Sequence, residues 1–169
     1  PEKVETVKKT SADFADAAAL SESDRKIVDW GLTNGVVSGS SDGLFHPWDL
    51  VSRAEFAVMA VRSYGFNLSQ PQGVFSDVPK DHWACQYIEA LAREGAIPSG
   101  GSFRPDGYIT REEADKILVL ASHLDENIDV QKSGGESVYS QISTNCGISA
   151  FYLGNNRELK RISAVQMFQ

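Results

Sequence analysis

Three arginines stand at matching places in this chain. Arg53 follows Ser52 and precedes Ala54-Glu55, Arg111 follows Thr110 and precedes Glu112-Glu113, and Arg161 follows Lys160. A Ser or Thr with Glu three residues on is a capping box, so Ser52 and Thr110 each open a helix. The arginine then falls at the first helical position, where the helix dipole already concentrates positive charge. A cation there costs about 0.3 kcal/mol or more. Free backbone N–H groups beside a guanidinium make a ready seat for an anion. Arginine also grips a carboxylate through two parallel hydrogen bonds. The competing reading is that each arginine neutralises a structural carboxylate, such as Asp16, Asp77 or Asp129, and both roles can hold together. In the third copy Lys160 replaces the Ser/Thr cap, which weakens the helix start and adds a second cation.

The other chemistry-bearing residues are fewer. Trp48, beside Pro47 and near a Gly/Ser loop, suits stacking on a flat apolar ligand face such as that of a sugar. Trp83 has the spacing of a core residue first and of such a platform second. Asp42-Gly43 is a turn signal first, with contact to a ligand hydroxyl as the alternative. His46, His82 and His123 are scattered without metal-ligand spacing. Leu124-Asp125-Glu126-Asn127 lacks the alternating acids and the glycine of a calcium loop. Neither a Gly-x-Ser-x-Gly elbow nor a phosphate-binding Gly-rich loop is present, so no enzyme is expected and no cofactor. Cys85 and Cys146 stand at non-equivalent positions and read as structural thiols, a disulfide between them being the lesser option.

These residues need a scaffold, and the chain supplies one by repetition. The stretch from Phe14 and that from Phe75 both open Phe-x-Asp. Each continues with a capping residue, an amphipathic run, a glycine, a Gly/Ser loop, Phe-x-Pro and Ser/Thr-Arg-x-Glu. Ser21 and Gly35 are 14 positions apart, as are Asp81 and Gly95; Pro47 and Arg53 are 6 apart, as are Pro105 and Arg111. A worn third copy follows: Asp129-Val130 resembles Asp77-Val78, Ser133 lies 14 before Gly147, and Leu159-Lys160-Arg161 falls where Ile109-Thr110-Arg111 sits. Ser21, Asp81 and Ser133 read as N-caps; Gly35, Gly95 and Gly147 read as C-caps. Trp83, Tyr87, Ile88 and Leu91 would share one helical face. Each copy is therefore helix, loop, helix, and residues 63–73 form a linker. One such pair buries too little alone, whereas three packed around an axis bury a common core. The expected fold is all-α: three pseudo-equivalent units, over residues 11–66, 74–122 and 123–169.

The chain has 169 residues, 41% hydrophobic and 23% charged, with formal net charge −7. That composition is globular. An acidic surface is repelled by nucleic acid and anionic membranes, so an anionic ligand must be caught by a few placed cations. No apolar run reaches the roughly 18–20 residues of a membrane span. The start, PEKVETVKKT, has no signal-peptide core, which suggests either a cytosolic protein or one whose leader has been removed. Pro1 suggests an excerpt from a longer chain.

Phe75-Ser-Asp-Val-Pro-Lys-Asp-His-Trp-Ala, with Gly95-Ala-Ile, Phe103-Arg-Pro and Ile109-Thr-Arg-Glu-Glu-Ala, resembles an S-layer homology repeat. Leu50-Val-Ser-Arg-Ala-Glu-Phe56 resembles the same motif in the first copy, and the likeness is faint over 125–168. This resemblance implies a pseudo-threefold prism around a central three-helix bundle. It implies a monomeric module of a larger protein at the bacterial cell surface. The module would be anchored without covalent bonds to the cell wall, through a pyruvylated secondary cell-wall polysaccharide or a peptidoglycan-linked glycan. It further implies that Arg53 and Arg111 grip the ketal carboxylate in grooves between repeats. Arg161 matches in position, but its motif reads Leu-Lys-Arg-Ile-Ser. The first copy has Ser23 in place of the Trp, and the third has Gly135. The alternative is a protein-interaction or structural module that has lost sugar binding.

Overall fold

The capping signals at Ser21, Ser52 and Thr110 each open a helix in the computed structural model of the chain, which describes residues 9–123, 139 and 158–169. Two short 3₁₀ turns, Ser11–Asp13 and Ala15–Ala19, precede helix α1, Glu22–Thr33. Ser21 Oγ accepts the Asp24 N–H. Helix α2, Arg53–Tyr64, carries a complete capping box: Ser52 Oγ accepts from Glu55 N at 3.1 Å, and Glu55 accepts from Ser52 N at 2.8 Å. Helix α4, Arg111–Ala121, repeats the device with Thr110 and Glu113. Helix α5, Arg161–Gln166, starts at Lys160 with no side-chain cap, as the loss of the Ser/Thr foretells.

Two expectations shift. Helix α3, Cys85–Arg93, begins four residues beyond Asp81 and has Ala84, not Asp81, in the cap position. The His82 N–H bonds Pro79 C=O, and the Ala84 N–H reaches His82 Nδ1. These turns delay the helix and leave Trp83 outside it. The linker begins at Gly65, because α2 runs through Tyr64 before Gly65 ends it in the left-handed conformation. Gly35 and Gly95 also take positive φ, one residue past the caps of α1 and α3. The linker is tied down: the Glu89 carboxylate accepts the N–H groups of Gln72, Gly73 and Val74, and Arg93 donates to Ser69 Oγ and the Asn67 carbonyl.

The fold is all-α, and among the described residues the β-pairing is limited to three isolated bridges. Those bridges join the copies. The Val51 N–H donates to Leu159 C=O at 2.8 Å, Leu159 to Ile109 at 3.0 Å and Ile109 to Val51 at 3.0 Å. Each residue stands two before its arginine, so the three bonds close a ring through equivalent positions. Helix α3 packs on α2, and α1 packs on α5. The first helix of copy two thus lies on the second helix of copy one, and the first helix of copy one on that of copy three. Phe45, Phe56, Ile88, Leu91, Ile109 and Leu118 are fully buried in the shared core. A full prism needs the first helix of the third copy. Asp129, Ser133, Gly135, Cys146 and Gly147 lie outside the described residues.

Gly31 sets the approach of α1 to α5. A Cβ there would meet Val165 Cγ1 at 2.7 Å and Val37 Cγ2 at 2.9 Å. Both are stiff β-branched side chains, so the clash cannot relax cheaply. Gly31→Val is expected to lower stability in urea by about 2 kcal/mol; unchanged stability would show that the α1–α5 contact is looser than this.

Candidate functional site

The Phe-x-Asp and Phe-x-Pro motifs serve each other. Asp77 accepts the N–H groups of Phe103 and Arg104, each at 2.7 Å, and the Ser102 hydroxyl at 2.6 Å. Asp16 accepts those of Phe45 and His46 in the same way. The second residue of each pair precedes a proline and sits in the left-handed region, His46 at φ 56° and Arg104 at φ 59°, a strained position for a side chain. The phenylalanines meet across the motif: Phe14 with Phe45 at 5.9 Å, Phe75 with Phe103 at 5.7 Å. Partial burial pushes the Asp77 carboxyl upward, but the three donors outweigh it and bring its pKa down to about 2. Asp16 is lowered for the same reasons, against the same burial.

The loops held this way cap the neighbouring helices. The N–H groups of Arg53 and Ala54 donate to Gly107 and Pro105 C=O at 2.8 and 3.0 Å; those of Arg161 and Ile162 donate to Asp49 and Pro47 C=O at 2.8 and 3.0 Å. The backbone anion seat expected at these helix starts is therefore not free: an adjacent copy's carbonyls already take its donors.

The guanidinium groups are also engaged. Arg53, 14% exposed, places Nη1 2.5 Å from Glu113 Oε1 in an ion pair that lacks hydrogen-bond alignment, donates from Nε to Phe103 C=O at 2.7 Å, and lies over the Phe103 ring. Arg161, 17% exposed, bonds Glu55 Oε1 at 2.7 Å. Arg111, 15% exposed, bonds the fully buried Asp115 at 2.9 Å within its own helix. The internal-pairing reading thus holds with different partners from those expected, since Asp16 and Asp77 serve their loops instead. The pairing follows the ring: the capping-box Glu of one copy meets the arginine of another. In the third copy Ser163 stands where that Glu would be.

Among the described residues, an open groove lies between the copies. About 370 Å³ in volume, it is walled by residues 36–40, by Val51, Glu55, Val58, Met59 and Arg62 of copy one, by Trp83 of copy two and by Arg161 of copy three. Trp83 is 61% exposed, so the core reading of this residue does not hold; it forms one wall with its ring stacked on His82. Arg161 Nε is buried and has no acceptor among the described residues. Arg62, which the sequence reading passed over, is exposed; its guanidinium lies 5.7 Å from the Tyr87 ring. Nothing in the sequence marks it off from the polar face of an amphipathic helix.

The remaining candidates sit elsewhere. Trp48 is 53% exposed with Lys160 Nζ over its ring at 5.5 Å, a contact joining copies one and three. Asp42 and Gly43 form the turn: Gly43 has φ 82°, and Asp42 accepts the Leu44 N–H. Asp42 also meets His46 Nε2 at 2.7 Å, which raises the pKa of that imidazole. Among the described residues no three His, Cys, Asp or Glu side chains converge as a metal set would, and no helix is long and apolar enough to cross a membrane.

Helices joined by a backbone ring through equivalent positions, with Ser/Thr-Arg-x-Glu opening α2 and α4 and an arginine at the same place in α5, define a repeat module. The S-layer homology domain profile matches residues 13–57 and 74–114, a little more than half of the chain, and the chain belongs to that family. It is 30% identical over 136 residues to the exoglucanase XynX of Acetivibrio thermocellus, covering 77% of this chain and 12% of that protein. It is 32% identical over 136 residues to an amylopullulanase of Thermoanaerobacterium thermosulfurigenes, covering 77% of this chain and 7% of that one. The S-layer protein EA1 of Bacillus anthracis is 27% identical over 154 residues, 82% of this chain and 18% of the relative. The chain thus spans under a fifth of each of these relatives. It is a cell-surface module of the kind that attaches surface proteins to the cell wall.

Proposed function

We propose that this chain binds a secondary cell-wall polysaccharide carrying pyruvate ketals, and does so in the groove between copies, as a binding module and not an enzyme. The observation that carries this is the groove itself. It brings the exposed Trp83 together with Arg161 and Glu55 in one lining that also includes Ser38 and Ser40. An aromatic face with a few convergent polar groups is what a sugar ring needs. The buried Arg161 Nε offers a donor without an acceptor of its own, which a ligand oxygen would satisfy. Repetition of weak contacts along a long polymer raises the overall hold without making any one site tight.

Binding of the folded chain to purified wall polymer, by calorimetry and by sedimentation with wall sacculi, tests this. Trp83→Ala is expected to weaken binding at least about tenfold with the melting temperature kept. No measurable binding by the unaltered chain, or undiminished binding by Trp83→Ala, would sink the proposal. The internal pairing of all three helix-start arginines favours a second reading, a protein-docking module without sugar affinity; it predicts no response to the polymer at all.

A further inference from the structure

The groove's charge is unevenly shared. Its lining holds two cations, Arg161 and Arg62, and one acid, Glu55. Glu55 is already bonded to Arg161 at 2.7 Å. That pair is neutral as a unit, so it can offer hydrogen bonds but little net attraction. Arg62 has no carboxylate within ion-pair distance among the described residues, and its guanidinium is held only against the Tyr87 ring at 5.7 Å. It stands in the last turn of α2, where the helix dipole favours a cation. The chain around it carries net charge −7, so an anion entering the groove must be drawn by this uncompensated group.

We infer that Arg62 is the specificity-determining residue of the groove: it meets a carboxylate on the bound sugar, while Trp83 carries the ring. This rests on the glycan-binding reading above. The arrangement is not repeated in the second copy. Arg62 lies nine residues after Arg53, and nine after Arg111 stands Leu120, a partly buried hydrophobic packed on the core. The corresponding place in the second copy therefore has no free cation. The chain would read charge beside copy one and not equally beside copy two.

The test compares purified wall polymer with the same polymer after mild-acid removal of its ketal pyruvates, by calorimetry on the whole chain. The unaltered chain should prefer the charged polymer, and added salt should erode that preference. Arg62→Gln should cut the preference about tenfold and make what remains insensitive to salt, the loss expected for one charge-assisted contact. Arg62→Lys should keep most of it, because the charge stays. Arg62 is exposed, so melting temperatures should match. An Arg62→Gln chain that keeps the full, salt-sensitive preference overturns the assignment, as does an Arg62→Lys chain that falls as far as the Gln. If the unaltered chain binds neither polymer, the glycan reading itself fails and this inference falls with it; if it binds both equally, glycan binding stands without its ketal and the role of Arg62 is overturned.

Discussion

Asp77→Ala is expected to remove about 3 kcal/mol of stability at neutral pH, although the side chain lies outside the core. Three donors lose a charged acceptor at once: the N–H groups of Phe103 and Arg104 and the Ser102 hydroxyl. Arg104 is then left in the left-handed region, at φ 59°, with nothing to hold it there. The damage spreads, because the carbonyls of Phe103, Pro105 and Gly107 receive the side chain of Arg53 and the first two N–H groups of α2. The effect should depend on pH in a definite sense. The carboxyl titrates at about 2 in the fold against an ordinary 3.8. A depressed carboxylate contributes fully above the unfolded value, and its contribution is lost as pH falls through the folded one. Urea unfolding of the two chains should therefore differ most above about pH 4 and converge toward pH 2. A gap below about 1 kcal/mol at pH 7, or one that does not close in acid, would count against this account.

What the sequence revealed divides along the range of the interactions. Capping boxes are local, so Ser52–Glu55 and Thr110–Glu113 could be read directly, and the register that matched Arg161 to Arg111 is the register of the Val51–Leu159–Ile109 ring. The pairing of Asp77 with a loop 26 residues on left only a spacing in the sequence, without its partner. The anion-seat reading of the α2 and α5 starts failed for a related reason. An isolated helix has orphan N–H groups, but here the next copy's loop carbonyls take them. Trp83 was assigned to the core by a helical period that the Pro79–Ala84 turns interrupt before α3 begins. Arg62 gave no signal, because its lack of an ion-pair partner among the described residues is a property of three dimensions.

The acid that matters most at the copy interface is Glu113. One oxygen closes the capping box with Thr110 N at 3.1 Å, and the other meets Arg53 of the preceding copy at 2.5 Å and the exposed Arg104 at 3.3 Å. Glu113→Ala should cost about 3 kcal/mol, because it removes the cap and leaves a largely buried guanidinium without its charge partner. Glu113→Gln separates the two effects. Glutamine also completes a capping box, so it should cost only the ion pair, about 1–2 kcal/mol for a pair that is partly exposed. Arg104→Ala, at a side chain 70% exposed, should cost less than about 0.5 kcal/mol. Chemical denaturation of the three variants orders them. A Gln variant as unstable as the Ala would put the whole energy in the charge pair, and a Gln variant as stable as the unaltered chain would put it in the cap. Only the intermediate result fits a carboxylate that starts its own helix and ties down its neighbour's arginine. The same logic gives Glu55 a further part. It holds Arg161 at the groove wall through the equivalent pair, so the contact that locks copy three to copy one also sets the charge a ligand would meet there.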